Sequence, residues 1–111
     1  MYTYKATVVS AYDGDTLRAD VDLGFRVTLH AIAFRLLGVN TPEIGQPGSL
    51  EARDYVRKMT LGKEVTIESQ MDKQEKYGRW LATITVVAEN GVTVNLNKML
   101  LELGLAVPYM T

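Results

Sequence analysis

Apolar and polar positions alternate over Leu17, Ala19, Val21 and Leu23 against Arg18, Asp20 and Asp22, the period of two that predicts a half-buried strand. Gly24 then permits a turn. The next run places Phe25, Val27 and Leu29 on one parity and Ile32, Phe34 and Leu36 on the other. A one-residue shift swaps the faces of a strand, so this pattern predicts a bulge or bend near His30-Ala31, of the kind that helps close small barrels. Pro47-Gly48-Ser49 reads as a turn into a helix N-cap, followed by Glu51 and Asp54, with Ala52, Val56 and Met59 at helical spacing and Gly62 as the stop. Val65 and Ile67 predict a fourth strand, Leu81 to Val87 a fifth, and the Asn90-Gly91 pair turns the chain into Val92-Thr93-Val94. Asn95 caps a short final helix whose Leu96, Met99, Leu100 and Leu103 form one apolar stripe ended by Gly104. No strand–helix–strand alternation recurs, so a mainly β chain with two helices and a partly open five-stranded barrel is expected rather than a parallel sheet.

The length of 111 residues suits one domain, 1–111, and 47% hydrophobic with 23% charged residues marks a folded chain without an apolar run able to span a bilayer. No membrane partner is expected. The absence of cysteine excludes disulfide scaffolds, thiolate metal sites and thiol nucleophiles. His30, the single histidine, reads as a strand or bulge residue, and Trp80 and the five methionines read as core. The start, Met1-Tyr2-Thr3-Tyr4-Lys5, lacks a basic leader and cleavage site, so the expected location is cytoplasmic if Met1 is the native start and secreted if a leader has been removed. A net charge of −1 counts against binding nucleic acid through bulk positive charge.

Three polar clusters interrupt the apolar framework: Asp13-Gly14-Asp15-Thr16, the run from Arg35 to Glu43, and Lys76-Tyr77-Gly78-Arg79. Two carboxylates around a glycine, with Asn40, Thr41 and Glu43 adding oxygen donors, suit calcium or magnesium rather than zinc. Arg35 and Arg79 carry planar forks suited to phosphate. Each cluster also has a plain structural reading: a solvated turn, a loop start, an edge arginine paired with an acid, a strand entry. Taken residue by residue, the clusters reach only as far as a cation and phosphate site. Glu75, beside Lys76, reads as a solvated loop charge.

In order, the clusters together with Glu51-Ala52, Leu81-Ala82, Val94-Asn95 and Gly104-Leu105-Ala106 resemble the staphylococcal nuclease (thermonuclease-like) family, over about Thr7 to Tyr109. The resemblance implies a five-stranded Greek-key barrel of the OB type with two short helices, here lacking the family's third, C-terminal helix. It further implies calcium-dependent hydrolysis of phosphodiester bonds in DNA and RNA, leaving 3′-phosphate ends. By the same resemblance Asp15, Asn40 and the Thr41 carbonyl are cation ligands, with Asp13 in the outer shell. Glu43 is the general base, and Arg35 and Arg79 grip the scissile phosphate. Lys76, Tyr77 and Tyr109 bind the nucleotide. Asn40 stands where the best-known member has Asp, so weaker or less selective calcium binding is expected. The Asp15–Arg35 hairpin is longer than in that member and is similar to long-hairpin, including phage-encoded, relatives. Both monomer and homodimer remain open. Two other classes compete with an enzyme: a non-catalytic OB module that binds nucleic acid or nucleotide, and a protein-interaction barrel. The joint presence of Arg35, Glu43 and Arg79 favours catalysis.

Overall fold

The computed structural model describes residues 2–74 and 79–109. Five long strands carry the fold: β1 (Tyr2–Ala11), β2 (Thr16–Asp22), β3 (Thr28–Leu36), β5 (Glu64–Gln74) and β6 (Trp80–Val87). They pair antiparallel in the order β3-β2-β1-β5-β6, and a parallel contact of Phe34, Arg35 and Leu36 with Trp80, Leu81 and Ala82 closes the ring. The result is the expected five-stranded barrel of the OB type, closed by the β3–β6 contact rather than partly open. Its interior is filled by the alternating residues of each strand, among them Leu17, Ala19, Val21, Ile67, Ala82 and Ile84, all buried. The α1 helix (Ser49–Thr60) buries Val56 and the α2 helix (Leu96–Glu102) buries Leu96 and Leu100 in this core, while Ala52 of α1 is also buried. Among the described residues no helix is long and apolar enough to cross a membrane.

The predicted bulge lies where the parity changes. Ala19 faces Ile32 but Val21 faces Leu29, so β3 holds one residue more than β2 between these pairs. Ala31 takes φ 53°, its N–H donates to Asp20 Oδ1 at 2.8 Å, and its carbonyl accepts from Arg18 Nη1 at 2.8 Å. Two outward side chains of β2 thus satisfy both backbone groups that the bulge removes from the ladder. His30 is exposed on this bulge, with Nδ1 3.5 Å from Asp20 Oδ1, a peripheral place that agrees with its structural reading.

Three details depart from the pattern. The run from Phe25 does not start a strand: Phe25 and Arg26, at φ 52° and 63°, form the hairpin turn, and β3 begins at Thr28. Leu23, Phe25, Val27 and Leu29 stay exposed because this end of the hairpin extends past the barrel interior. The α1 N-cap is Gly48, at φ 90°, rather than Ser49, which is the first helical residue and is buried. Finally, a two-residue strand β4 (Val39–Asn40) pairs with β8 (Val107–Pro108), which is too short to register as a pattern; β7 (Thr93–Asn95) is the expected hairpin extension of β6. Asn95 caps α2 as expected, its Oδ1 accepting from the Lys98 N–H at 3.0 Å.

Candidate functional site

The Asp13–Asp15 turn, the end of β3 and the β4 segment meet at one end of the barrel. Asp13 Oδ1 accepts from the Asp15 N–H at 3.1 Å, which curls the turn. Asp15 is buried, and its Oδ2 accepts from the Thr41 N–H at 3.0 Å while lying 3.3 Å from Arg35 Nη1. The Leu36 N–H donates to the Asp15 carbonyl at 2.9 Å, fixing the turn to β3. Gly14 has a steric rather than a conformational reason to be glycine: a Cβ there would lie 2.7 Å from Thr41 Cγ2 and 2.8 Å from Ala52 Cβ. The absent side chain lets α1 and the Thr41 segment close on the turn.

Arg35 sits inside this corner, also buried. Its Nη1 donates to the carbonyls of Val39 at 2.9 Å and Leu36 at 3.3 Å, and its Nη2 donates to Asn40 Oδ1 at 3.1 Å. A guanidinium has five N–H donors, so these bonds leave the Nε–H and one Nη2 hydrogen for an anionic oxygen. The Tyr109 ring lies 5.3 Å from the Arg35 carbon, close enough for cation–π attraction, and the Tyr109 N–H donates to the Gly38 carbonyl at 3.0 Å. Arg79, at the entry to β6, donates from Nη1 to Thr16 Oγ1 at 2.6 Å, and Thr16 Oγ1 in turn donates to Asp15 Oδ1 at 3.3 Å. The two arginines are therefore bound to one carboxylate, Arg35 directly and Arg79 through a hydroxyl. Arg35 is thus paired with an acid, as its plain structural reading expects, but it is buried rather than at an edge.

Glu43 is exposed on the loop after Thr41-Pro42, where its carbonyl accepts from the Gln46 N–H at 2.9 Å. Its side chain makes no hydrogen bond or ion pair among the described residues. Lys76 and Tyr77, expected to contact nucleotide, lie outside the described residues, as does Glu75. Asn97 is a supporting residue that the hydrophobic pattern does not reveal. It is buried, its Oδ1 accepts from the Ile84 N–H at 3.2 Å, and its Nδ2 donates to the carbonyls of Leu37 at 2.9 Å and Ala82 at 3.1 Å. One amide thereby locks α2, β6 and the Leu37 turn that leads into β4.

The donors in this corner are oxygens, the set that hard divalent cations take. Burial first, and the neighbouring Asp15 carboxylate second, push the Asp13 carboxyl up to about 6. Thr41 Oγ1 is buried without a hydrogen-bond partner among the described residues. A divalent cation bound beside Asp13 and Asp15 would offset the charge at Asp13 and offer Thr41 Oγ1 a partner. Among the described residues no three acidic or histidine side chains form a metal-binding group.

Comparison with known proteins identifies the family of the chain. The family profile described as "Staphylococcal nuclease homologue" matches residues 33–111. A protein named "Thermonuclease" from Staphylococcus hyicus is 33% identical over 88 aligned positions, covering 74% of this chain and 47% of that protein. An uncharacterized protein of Methanocaldococcus jannaschii is 30% identical over 132 aligned positions, covering 97% of this chain and 60% of that protein. The chain thus spans about half the length of one curated relative and three-fifths of the other.

Proposed function

Because the chain belongs to the staphylococcal nuclease homologue family, we propose that it is a divalent-cation-dependent nuclease that hydrolyses phosphodiester bonds of DNA or RNA, leaving 3′-phosphate ends. The observation that carries this reading is the convergence of two arginines on one buried carboxylate, Arg35 at 3.3 Å and Arg79 through Thr16. Asp15, Asn40 and the Thr41 carbonyl would hold calcium, with Asp13 in its outer shell, and the ion would neutralise charge on the phosphate oxygens. The free edge of Arg35 binds a scissile-phosphate oxygen, and its bonds to three fixed acceptors hold it in place before substrate arrives. Charge accumulates on those oxygens in the transition state, so a preorganised guanidinium stabilises that state more than the ground state. Glu43, exposed and without a partner among the described residues, accepts the proton of the attacking water. Tyr109, placed over Arg35, offers a ring for the base of the bound nucleotide.

Incubating single-stranded DNA and RNA with calcium, with chelator, and with an Arg79→Ala variant tests the reading. Cleavage should require calcium and fall about 10²-fold or more in the variant, the usual effect of removing a preorganised donor. Cleavage that persists in chelator, or unchanged in the variant, would overturn it. Binding of nucleic acid without cleavage in any arm would instead identify a non-catalytic OB module.

A further inference from the structure

A groove of about 800 Å³ opens on the outer face of the barrel, and Thr16 and Arg79 line both it and the site described above. Its depth follows from sequence: the outward positions Ser10, Ala31 and Ala33 are small, whereas Arg18 and Arg57 rise beside them. Each of these arginines is anchored by one backbone carbonyl, Arg18 Nη1 to Ala31 at 2.8 Å and Arg57 Nε to Ala11 at 3.0 Å. Anchoring fixes the guanidinium while leaving further N–H donors on each. No aspartate or glutamate is among the described residues lining the groove, although acids outnumber bases thirteen to twelve in the chain. Tyr12, 67% exposed, stands at the same rim with its ring available for stacking.

We propose that this groove is a second phosphate-binding subsite that tracks the backbone of a single-stranded polynucleotide continuing from the cleavage site. The proposal rests on reading the adjoining cluster as a phosphodiester site. A positively lined trough beside an exposed aromatic ring is the arrangement that holds single strands without reading their sequence. Arg18 and Arg57 are then binding residues, felt by long substrates and not by short ones.

Fluorescence anisotropy of a labelled 12-nucleotide single-stranded DNA, in chelator and across a salt series, tests this directly; hydrolysis of a dinucleotide in calcium is the short-substrate control. The Arg18→Gln/Arg57→Gln variant should bind the 12-mer roughly tenfold more weakly, with the salt dependence shallower by about 1.4 in log–log slope, while dinucleotide hydrolysis is unchanged. Arg18→Lys/Arg57→Lys should keep the slope, and Arg53→Gln, on the half-buried arginine paired with Asp54 outside the groove, should behave as wild type. Unaltered affinity and slope in the glutamine variant would overturn the subsite, as would an equal loss on the dinucleotide. Failure of the nuclease reading looks different: length-dependent binding that needs Arg18 and Arg57 would survive while cleavage showed no dependence on Arg79.

Discussion

Gly14 shows how one missing side chain sets the site. A methyl group at this position would lie within 3 Å of both Thr41 and Ala52, so Gly14→Ala should destabilise the protein by about 1–3 kcal/mol through overpacking. Urea unfolding checks it; a neutral effect would mean the helix and the Thr41 segment separate freely. Asp13 makes the complementary electrostatic prediction for the metal-free protein. Its carboxyl is raised to about 6 from an ordinary 3.8, chiefly by burial, so folding favours the protonated form. The penalty on the ionised form is absent below about pH 4 and complete above about pH 6. In chelator, Asp13→Asn should therefore gain stability over wild type progressively between pH 4 and pH 6, then hold that gain, in urea midpoints taken across the range. A gain that is constant with pH would refute the sign. The residue types at Asp13, Asp15, Arg35 and Arg79 were legible in the sequence because the chemistry needs carboxylates and planar cations. The bridging of Arg79 to Asp15 by Thr16 was not, since a threonine after an Asp-Gly-Asp turn has no pattern that marks it. The support from buried Asn97 was equally hidden, because periodicity reports apolar faces and is silent on a single polar lock.

At the scale of elements, the parity switch in β3 was a reliable signal because burial enforces it. Ile32, Phe34 and Leu36 must share the inward parity of Leu17 and Ala19 on β2, and one extra residue is the simplest way to reconcile the two halves of the run. The conformation of that extra residue was not legible: Ala31 adopts φ 53°, which favours glycine, and Asp20 and Arg18 hold it there. Ala31→Gly should therefore stabilise the protein by about 0.5–1 kcal/mol by relieving the left-handed strain, read as a rise in the thermal midpoint. A fall would show that the bulge is not strained. The hairpin end misled the pattern for a different reason. Phe25, Val27 and Leu29 alternate like core residues, yet no barrel interior extends to them, and periodicity by itself does not distinguish an inward face from an outward one. Likewise the Gly48 cap displaced the expected Ser49 because its left-handed backbone, φ 90°, sets the helix entry without a side-chain bond.

At the scale of the molecule, the formal charge of −1 argues against broad electrostatic attraction to nucleic acid, and the arrangement of charge explains why it does not forbid a nuclease. Two acids are drawn into the proposed cation corner and three arginines line the adjoining groove, so the field is local. Binding one divalent cation moves the total to +1 beside Arg35, where phosphate is expected. Calcium should then stabilise the folded chain by mass action, by about 2.7 kcal/mol at a hundred times its dissociation constant. Asn40 decides how tightly. It supplies a neutral oxygen already engaged by Arg35 at 3.1 Å, leaving the corner with the two carboxylates of Asp13 and Asp15. Asn40→Asp adds a third charge among the same donors, and calcium affinity rises with ligand charge. In a series of thermal melts, the calcium concentration giving half the maximal shift should fall about tenfold in this variant. An unchanged half-point would remove position 40 from the cation's surroundings and leave Asp15 as its buried anchor.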